Sequence, residues 1–194
     1  MKVAVIQYNA GNIRSLSFAL ERLGVEFTVT ADAEAIRSAD KVIFPGVGEA
    51  LSTMNHLRAI GLDRLIPELR QPTLGICLGM QLMCRHSEEN DTDCLNIFPV
   101  DVTRIPADPA HKVPHMGWNT LQQVRDWLPP GLEDRYAYFV HSYCVPVGPW
   151  TSAVCEYGIG FSAAIRKDNF HAVQFHPEKS AEAGAIILDA FLKP

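Results

Sequence analysis

Hydrophobic and polar positions follow two alternating periods in the first half of the chain. Apolar runs of strand length occupy residues 3–7, 27–30, 41–44 and 72–76, and helical spacing of apolar residues links them over residues 13–23, 33–39, 50–69 and 78–85. Asn9 to Asn12 form a turn signal with Asn12 as the expected N-cap, and Gly61 is a candidate break. Because parallel strands need crossover connections, this pattern predicts a doubly wound, mostly parallel sheet with helices on both faces.

The pattern changes after Glu89. Short alternating runs at residues 97–105, 138–145, 152–157, 161–165 and 172–175 predict antiparallel additions, and residues 181–192 are predicted to form a closing amphipathic helix. A chain of 194 residues without an internal repeat or a linker is expected to be a single α/β domain spanning 1–194.

Composition narrows the function classes. Hydrophobic residues make up 47% and charged residues 20%, as in ordinary globular proteins. A net charge of -5 without a basic stripe argues against nucleic acid as a partner. No stretch approaches the ~20 apolar residues of a membrane span, so we expect a cytoplasmic protein that does not bind membranes.

Five cysteines without a C-x-x-C pair predict neither a disulfide framework nor a metal site, and no cofactor is indicated. The default interpretation of each cysteine is a small buried hydrophobe. Cys77 differs from the others because it follows a predicted parallel strand and precedes a helix, at the sheet edge where open α/β folds bind ligands. Gly75 and Gly79 flank it, and G-x-C-x-G has the form of a nucleophile elbow.

A thiol nucleophile needs a base, and the stretch FHAVQFHPEKS offers one. The apolar run that ends at Phe175 brings His176 to a strand end, and Glu178 follows two residues later. In an extended segment these two side chains point the same way, so Glu178 can orient the imidazole while its other nitrogen faces the thiol. The alternative is an ordinary surface pair of a histidine and a carboxylate.

The turn Pro45-Gly46-Val47-Gly48 lies on the same predicted sheet edge. It is either a plain strand-to-helix connection or a backbone that turns an amide toward the oxyanion of a tetrahedral intermediate. The residues alone leave both interpretations open.

Together with the elbow and the His-Pro-Glu stretch, this turn resembles the class I, triad-type glutamine amidotransferases. The strings PHMGWN (114–119), VHSY (140–143) and HPEKS (176–180) are more specifically similar to the glutaminase subunits of imidazole glycerol phosphate synthases, and the likeness runs from Lys2 to the last helix. The residues themselves, without the resemblance, indicate only a thiol hydrolase.

The resemblance implies a role for each matching residue. Cys77 would attack the glutamine side-chain amide, His176 would be its acid and base, and Glu178 would orient His176. The oxyanion hole would use amides of Val47, Gly48 and Leu78, and glutamine would bind to Gln81, Glu89, His141, Ser142 and Tyr143. Glu89 suits the substrate ammonium, although the residues alone also allow a solvated charge in the acidic run 88–93.

The resemblance also implies a heterodimer with a (β/α)₈-barrel cyclase subunit, which would use the ammonia to close an imidazole ring. The residues that would face this partner are His115, Met116, Trp118, Asn119 and Lys179. For Met116 and Trp118, ordinary core packing is the alternative. Three rival functions remain: a glutaminase that serves another synthase, a catalytically silent binding subunit, and a stand-alone thiol hydrolase.

Overall fold

A computed structural model describes residues 1–8, 13–107 and 109–193, so the predicted turn at Asn9 to Asn12 and its N-cap lie outside the described residues. The strands are β1 Val3–Ile6, β2 Phe27–Thr30, β3 Lys41–Gly46, β4 Thr73–Cys77, β5 Cys84–Ser87, β6 Thr92–Asp93, β7 Phe98–Arg104, β8 His115–Thr120, β9 Tyr136–His141, β10 Tyr143–Cys144, β11 Thr151–Tyr157, β12 Ile159–Lys167 and β13 Phe170–Val173. The α-helices are α1 Ile13–Arg22, α2 Ala33–Arg37, α3 Ala50–Ala59, α4 Leu62–Glu68, α5 Leu78–Met83 and α6 Ala181–Leu192.

The largest sheet has seven strands in the order β11-β12-β13-β4-β3-β1-β2. The five from β13 to β2 pair in parallel, and β12 and β11 extend the sheet in antiparallel fashion. This confirms the predicted mostly parallel sheet with antiparallel additions. Helices α1 and α6 pack on one face and α2 to α5 on the other, with Val3 and Val5 in one hydrophobic core and Ala4 and Ile6 in the opposite one.

The strand at the end of the chain differs from its prediction. We expected residues 172–175 to be an antiparallel addition, but β13 pairs in parallel with β4, from Phe170↔Thr73 to Val173↔Ile76. Its other edge receives β12 in antiparallel fashion. The alternating pattern of a strand does not reveal which edge of the sheet it joins, and here β13 lies next to the strand that carries Cys77.

Two further boundaries were predicted wrongly. The helix after Cys77 ends at Met83 instead of Arg85, because Cys84–Ser87 pairs with β7 as strand β5. Cys84 was expected on that helix but begins the strand. The predicted strand 138–145 is divided at Ser142, since β9 pairs with β8 while β10 pairs with β7.

Strand β8 was not predicted as a strand. It forms a two-stranded antiparallel sheet with β9, in register from His115↔His141 to Thr120↔Tyr136. The predicted break at Gly61 is confirmed, since α3 ends before it and α4 begins after it. Over the described ranges, no helix has the length and apolar character that crossing a membrane requires.

Candidate active site

Cys77 lies at the junction of β4 and α5 in a strained backbone conformation. Its φ is 53° and its ψ is -110°, a region that non-glycine residues rarely adopt. Strand β4 is central to the sheet, so the residue is fixed by neighbours on both sides, including Gly46 of β3. The predicted elbow is therefore present, although the helix behind it has only six residues.

The two glycines around Cys77 allow close packing of α5 on the sheet. A Cβ atom at Gly79 would overlap the carbonyl oxygen of Phe44 in β3, and one at Gly75 would lie 2.9 Å from the sulfur of Met83. Any side chain at these positions would push α5 away from the strands. The G-x-C-x-G pattern thus has a packing cause at each glycine.

His176 and Glu178 form a buried pair beside Cys77. His176 follows β13, and Glu178 lies in the 3₁₀ turn Pro177–Lys179 rather than in the predicted extended segment, but this turn still brings the carboxylate to the imidazole. Nδ1 of His176 is 2.9 Å from Oε1 of Glu178, and the two side chains are 2% and 3% exposed. Nε2 of His176 is buried without a hydrogen-bond partner among the described residues. It is therefore the ring nitrogen left for a bound molecule or for the sulfur.

The electrostatic surroundings favour a charged imidazole. Burial lowers the pKa of His176, but the interactions with Cys77 and Glu178 outweigh burial and raise it to about 10. An imidazolium at neutral pH can donate a proton at once. The arrangement is suited to protonating a leaving group next to the thiol.

A cavity of about 320 Å³ opens above Cys77. It brings together all the residues predicted to bind glutamine or to form the oxyanion hole. The residues lining it are Val47, Gly48, Cys77, Leu78, Gln81, Glu89, Pro114, Val140, His141, Ser142, Tyr143 and His176. Glu178 is behind His176 and does not line it.

Glu89 is a wall of this cavity. Its Oε2 accepts a hydrogen bond from the amide of Ala50 at 2.8 Å, across the start of α3. Burial raises its pKa, with the Ala50 hydrogen bond opposing and the charge of Glu49 adding to the rise. A partly desolvated carboxylate at a pocket wall is well placed to receive a cation.

Of the predicted turn Pro45 to Gly48, Pro45 and Gly46 are the last residues of β3, with Gly46 paired to Cys77, and Val47 and Gly48 follow the strand. Gly48 has a φ of +111°, which favours glycine, and no atoms crowd the space where its Cβ would be. The hydroxyl of Tyr8 donates to the carbonyl oxygen of Pro45 and is itself buried. Sequence reasoning missed Tyr8, and its position at the end of β1 was the only available signal.

The predicted partner-facing residues are distributed over strand β8 and the turn after His176. Met116 and Trp118 are 63% and 50% exposed, so ordinary core packing does not explain them. Lys179 holds its Nζ 5.7 Å from the ring centroid of Tyr138, and Asn119 donates to the carbonyl of Glu156 at 2.8 Å. His115 alternates with Met116 and Trp118 along β8 and, contrary to its predicted partner-facing position, is buried at 3% exposure.

A second residue missed by sequence reasoning is Gln174. It is fully buried between Cys77 and Gln81, and both its amide atoms contact those side chains. The available signal was its position in the apolar run that ends at Phe175, two residues before His176.

Comparison with known proteins agrees with this geometry. The family model described as glutamine amidotransferase class-I matches residues 4–193. A protein of Bacteroides thetaiotaomicron named imidazole glycerol phosphate synthase subunit HisH is 62% identical over 194 residues, covering 99% of each chain. An Idiomarina loihiensis protein with the same name is 47% identical over 193 residues, covering 100% of this chain and 98% of the relative.

Solved structures share the fold. A structure described as a glutamine amidotransferase has a TM-score of 0.75 at 19% identity and covers 97% of this chain and 96% of its own. The structure of PurLQS from Thermotoga maritima has a TM-score of 0.71 at 14% identity, with coverage of 98% and 97%. At these identities the likeness concerns the fold alone.

Proposed function

Because this chain belongs to the class-I glutamine amidotransferase family, we propose that it is the glutaminase subunit of an imidazole glycerol phosphate synthase. It hydrolyses L-glutamine to glutamate and ammonia and passes the ammonia to a cyclase subunit in L-histidine biosynthesis. Relatives with 47% to 62% identity have that subunit's name, and the similarity extends over nearly the whole of each chain. The family match over residues 4–193 supports treating the chain as one glutamine amidotransferase domain.

One observation carries the proposed chemistry: Cys77 and His176 line a single cavity, and Glu178 holds His176 from behind. Cys77 attacks as a thiolate, its proton being held by His176 as the imidazolium, and forms a C–S bond to the side-chain carbonyl carbon of glutamine while the carbonyl oxygen becomes a tetrahedral oxyanion. The imidazolium of His176 gives its Nε2 proton to the departing nitrogen, so the C–N bond breaks and ammonia leaves. The product of this half-reaction is a glutamyl thioester.

In the second half-reaction, neutral His176 takes a proton from water, and the resulting hydroxide attacks the thioester carbon. The C–S bond breaks, glutamate is released, and Cys77 and the imidazolium are restored. Glu178 holds the ring through Nδ1 in both steps, which keeps Nε2 directed at the reacting atoms.

Backbone amides stabilise the oxyanion in this mechanism. Leu78 is the first residue of α5, where helix geometry leaves amides without intrahelical partners. Val47 and Gly48 line the same cavity as Cys77 and supply the second donor once the turn presents an amide. No atom lies within 4 Å of the Cβ position of Gly48, so the turn has room for such a movement.

The cavity walls suit the charged end of glutamine. Glu89 receives the substrate ammonium, Gln81 contacts the same end, and His141, Ser142 and Tyr143 form the rim of the binding segment. The side-chain amide then extends toward Cys77. This assignment gives every predicted glutamine-binding residue a place around one molecule.

The partner is a (β/α)₈-barrel cyclase, which combines ammonia with its own substrate to give imidazole glycerol phosphate and an aminoimidazole carboxamide ribotide. Met116 and Trp118 are the apolar centre of the proposed interface, with Asn119 and Lys179 beside them and His115 supporting the strand from within. All five cysteines are unpaired, which supports a reducing compartment such as the cytoplasm.

Cys77→Ala in the reconstituted complex tests the proposal. We expect glutamine-dependent synthesis to be lost while synthesis driven by added ammonium continues, because the cyclase site is on the other subunit. Cys94→Ala is the matched control, since Cys94 donates to the nearby Thr92 carbonyl and is not among the residues that line the cavity. Retention of glutamine-dependent synthesis in Cys77→Ala would remove Cys77 from the mechanism.

Two further results would overturn the wider assignment. Loss of ammonium-driven synthesis together with the glutamine reaction would contradict the division of labour between the subunits. Substantial glutamine hydrolysis in the absence of any partner would favour a stand-alone thiol hydrolase.

A further inference from the structure

Gln174 occupies a buried position between the nucleophile and the substrate pocket. Its Oε1 lies 3.0 Å from Nε2 of Gln81, and its Nε2 lies 3.8 Å from Sγ of Cys77. The side chain is fully buried, and its backbone amide is tied to the carbonyl of Ala163 in β12 at 2.8 Å. A buried amide with both ends directed at site residues is not explained by packing.

The orientation of the two amides follows from one fixed acceptor. Gln81 Nε2 lies 2.8 Å from the backbone carbonyl oxygen of Tyr143, which can only accept a hydrogen bond. The Gln81 amide must therefore present its nitrogen there, and the same nitrogen needs an acceptor in Gln174. Gln174 meets that need with Oε1, so its own nitrogen has to face the sulfur of Cys77.

The direction of this last contact matters for the chemistry. The carbonyl oxygen of Val140, 3.9 Å from Sγ, can accept a bond from the thiol but offers nothing to a thiolate. The amide N–H of Gln174 is a donor, and a negatively charged sulfur is a much stronger acceptor than a thiol. The contact therefore strengthens when Cys77 loses its proton.

We propose that Gln174 is a further catalytic residue, which donates a hydrogen bond to the Cys77 thiolate and at the same time fixes the Gln81 amide. Both N–H groups of Gln81 are then engaged, by Tyr143 and by Gln174, so Gln81 offers its carbonyl oxygen to the pocket. That oxygen suits the substrate ammonium rather than its carboxylate. The inference rests on the proposed role of Cys77 as the nucleophile.

Two substitutions separate the two roles. Gln174→Glu keeps an oxygen acceptor for Gln81 but places an oxygen where the donor to sulfur was. Gln174→Met keeps the approximate length and removes both contacts. For Gln174→Glu assayed at pH 8 with the cyclase partner, we expect kcat for glutamine hydrolysis to fall about 10- to 100-fold with KM nearly unchanged. For Gln174→Met we expect a similar loss in kcat and a raised KM.

A second readout does not depend on turnover. Iodoacetamide alkylation of Cys77, followed by mass spectrometry of its peptide across a pH series, reports the thiolate. We expect the alkylation profile of Gln174→Met to move to higher pH, because the thiolate loses its donor. Gln71→Met is the matched control: its amide binds the carbonyl of Ile36 at 2.8 Å, beyond the opposite end of β4. We expect it to leave the profile and kcat unchanged.

The outcomes distinguish this inference from the proposed function. Wild-type kcat and an unmoved alkylation profile in both Gln174 variants, with Cys77→Ala inactive on glutamine, would overturn the role of Gln174 alone. Full glutamine activity of Cys77→Ala would overturn the proposed function as well. If Gln174→Met does not fold, Gln174→Glu decides the question, since it is nearly isosteric and its folding can be checked by thermal unfolding.

Discussion

Nδ1 of His115 lies 3.1 Å from Nε2 of His141, between strand β8 and the cavity above Cys77. His141 Nδ1 is 2.8 Å from the carbonyl oxygen of Tyr143, so it must carry the proton, and His141 Nε2 accepts from His115. Because burial holds both pKa values well below 7, both rings are neutral at pH 7. Burial lowers the pKa of His115 to about 4 and that of His141 to about 3.

This pair should make the protein sensitive to acid. An unfolded histidine takes up its proton near pH 6.5, whereas these folded rings resist protonation until much lower pH. Between those values the unfolded state binds more protons, so the free energy of unfolding falls as the pH drops from about 6.5 toward 4. In His115→Gln, denaturant unfolding at several pH values should show this slope reduced by about one proton. An unchanged pH dependence of the free energy of unfolding would contradict a neutral, buried His115.

The pKa of His176 is shifted in the opposite direction from those of His115 and His141. Its raised pKa of about 10 means that its contribution to stability is complete below pH 6.5 and is lost as the pH rises through about 10. Removing the carboxylate charge in Glu178→Gln should lower the pKa of His176 by about one unit or more, as measured by NMR of labelled histidine. Glu182→Gln is the control, because Glu182 lies in the neighbouring α6 and pairs with Arg135 at the surface. Equal midpoints in both variants would refute the coupling.

The close approach of α5 to β3 predicts a severe effect at Gly79. Gly79→Ala would drive a methyl group into the Phe44 carbonyl, and we expect a loss of about 1–3 kcal/mol or more in the free energy of unfolding. Gly131→Ala is the matched control, since no atom lies within 4 Å of the added Cβ. Thermal and denaturant unfolding compare the two, and equal stability would show that α5 can shift without cost.

The exposed pair on β8 predicts a defect in assembly that leaves folding intact. Trp118→Ala should weaken binding to the proposed cyclase partner by about 10-fold or more, because large aromatic side chains at the centre of an interface carry much of the binding energy. Thermal stability of the free subunit should not change. Ile60→Ala removes a comparably exposed apolar side chain, 42% exposed, at the end of α3. Titration calorimetry that found both variants equally tight would exclude this face as the interface.

The sequence alone determined much of the fold through local rules. The spacing of apolar residues predicted β1 to β4 and the helices between them, because the apolar positions of each element are the ones that it buries. Spacing also placed Cys77 at a strand end and paired His176 with Glu178 two residues later. These relations extend over a few residues, so backbone geometry transmits them directly.

Only the tertiary structure decided how distant segments meet. The parallel pairing of β13 with β4, the division of the chain at Ser142 and the pairing of β8 with β9 depend on which edge each strand finds. The contacts of Gln174 with Cys77 and of Tyr8 with Pro45 join residues that are 97 and 37 positions apart, so only packing reveals them. A hydrogen bond between such residues requires a fixed orientation of both, and that orientation comes from the packed core rather than from any local pattern.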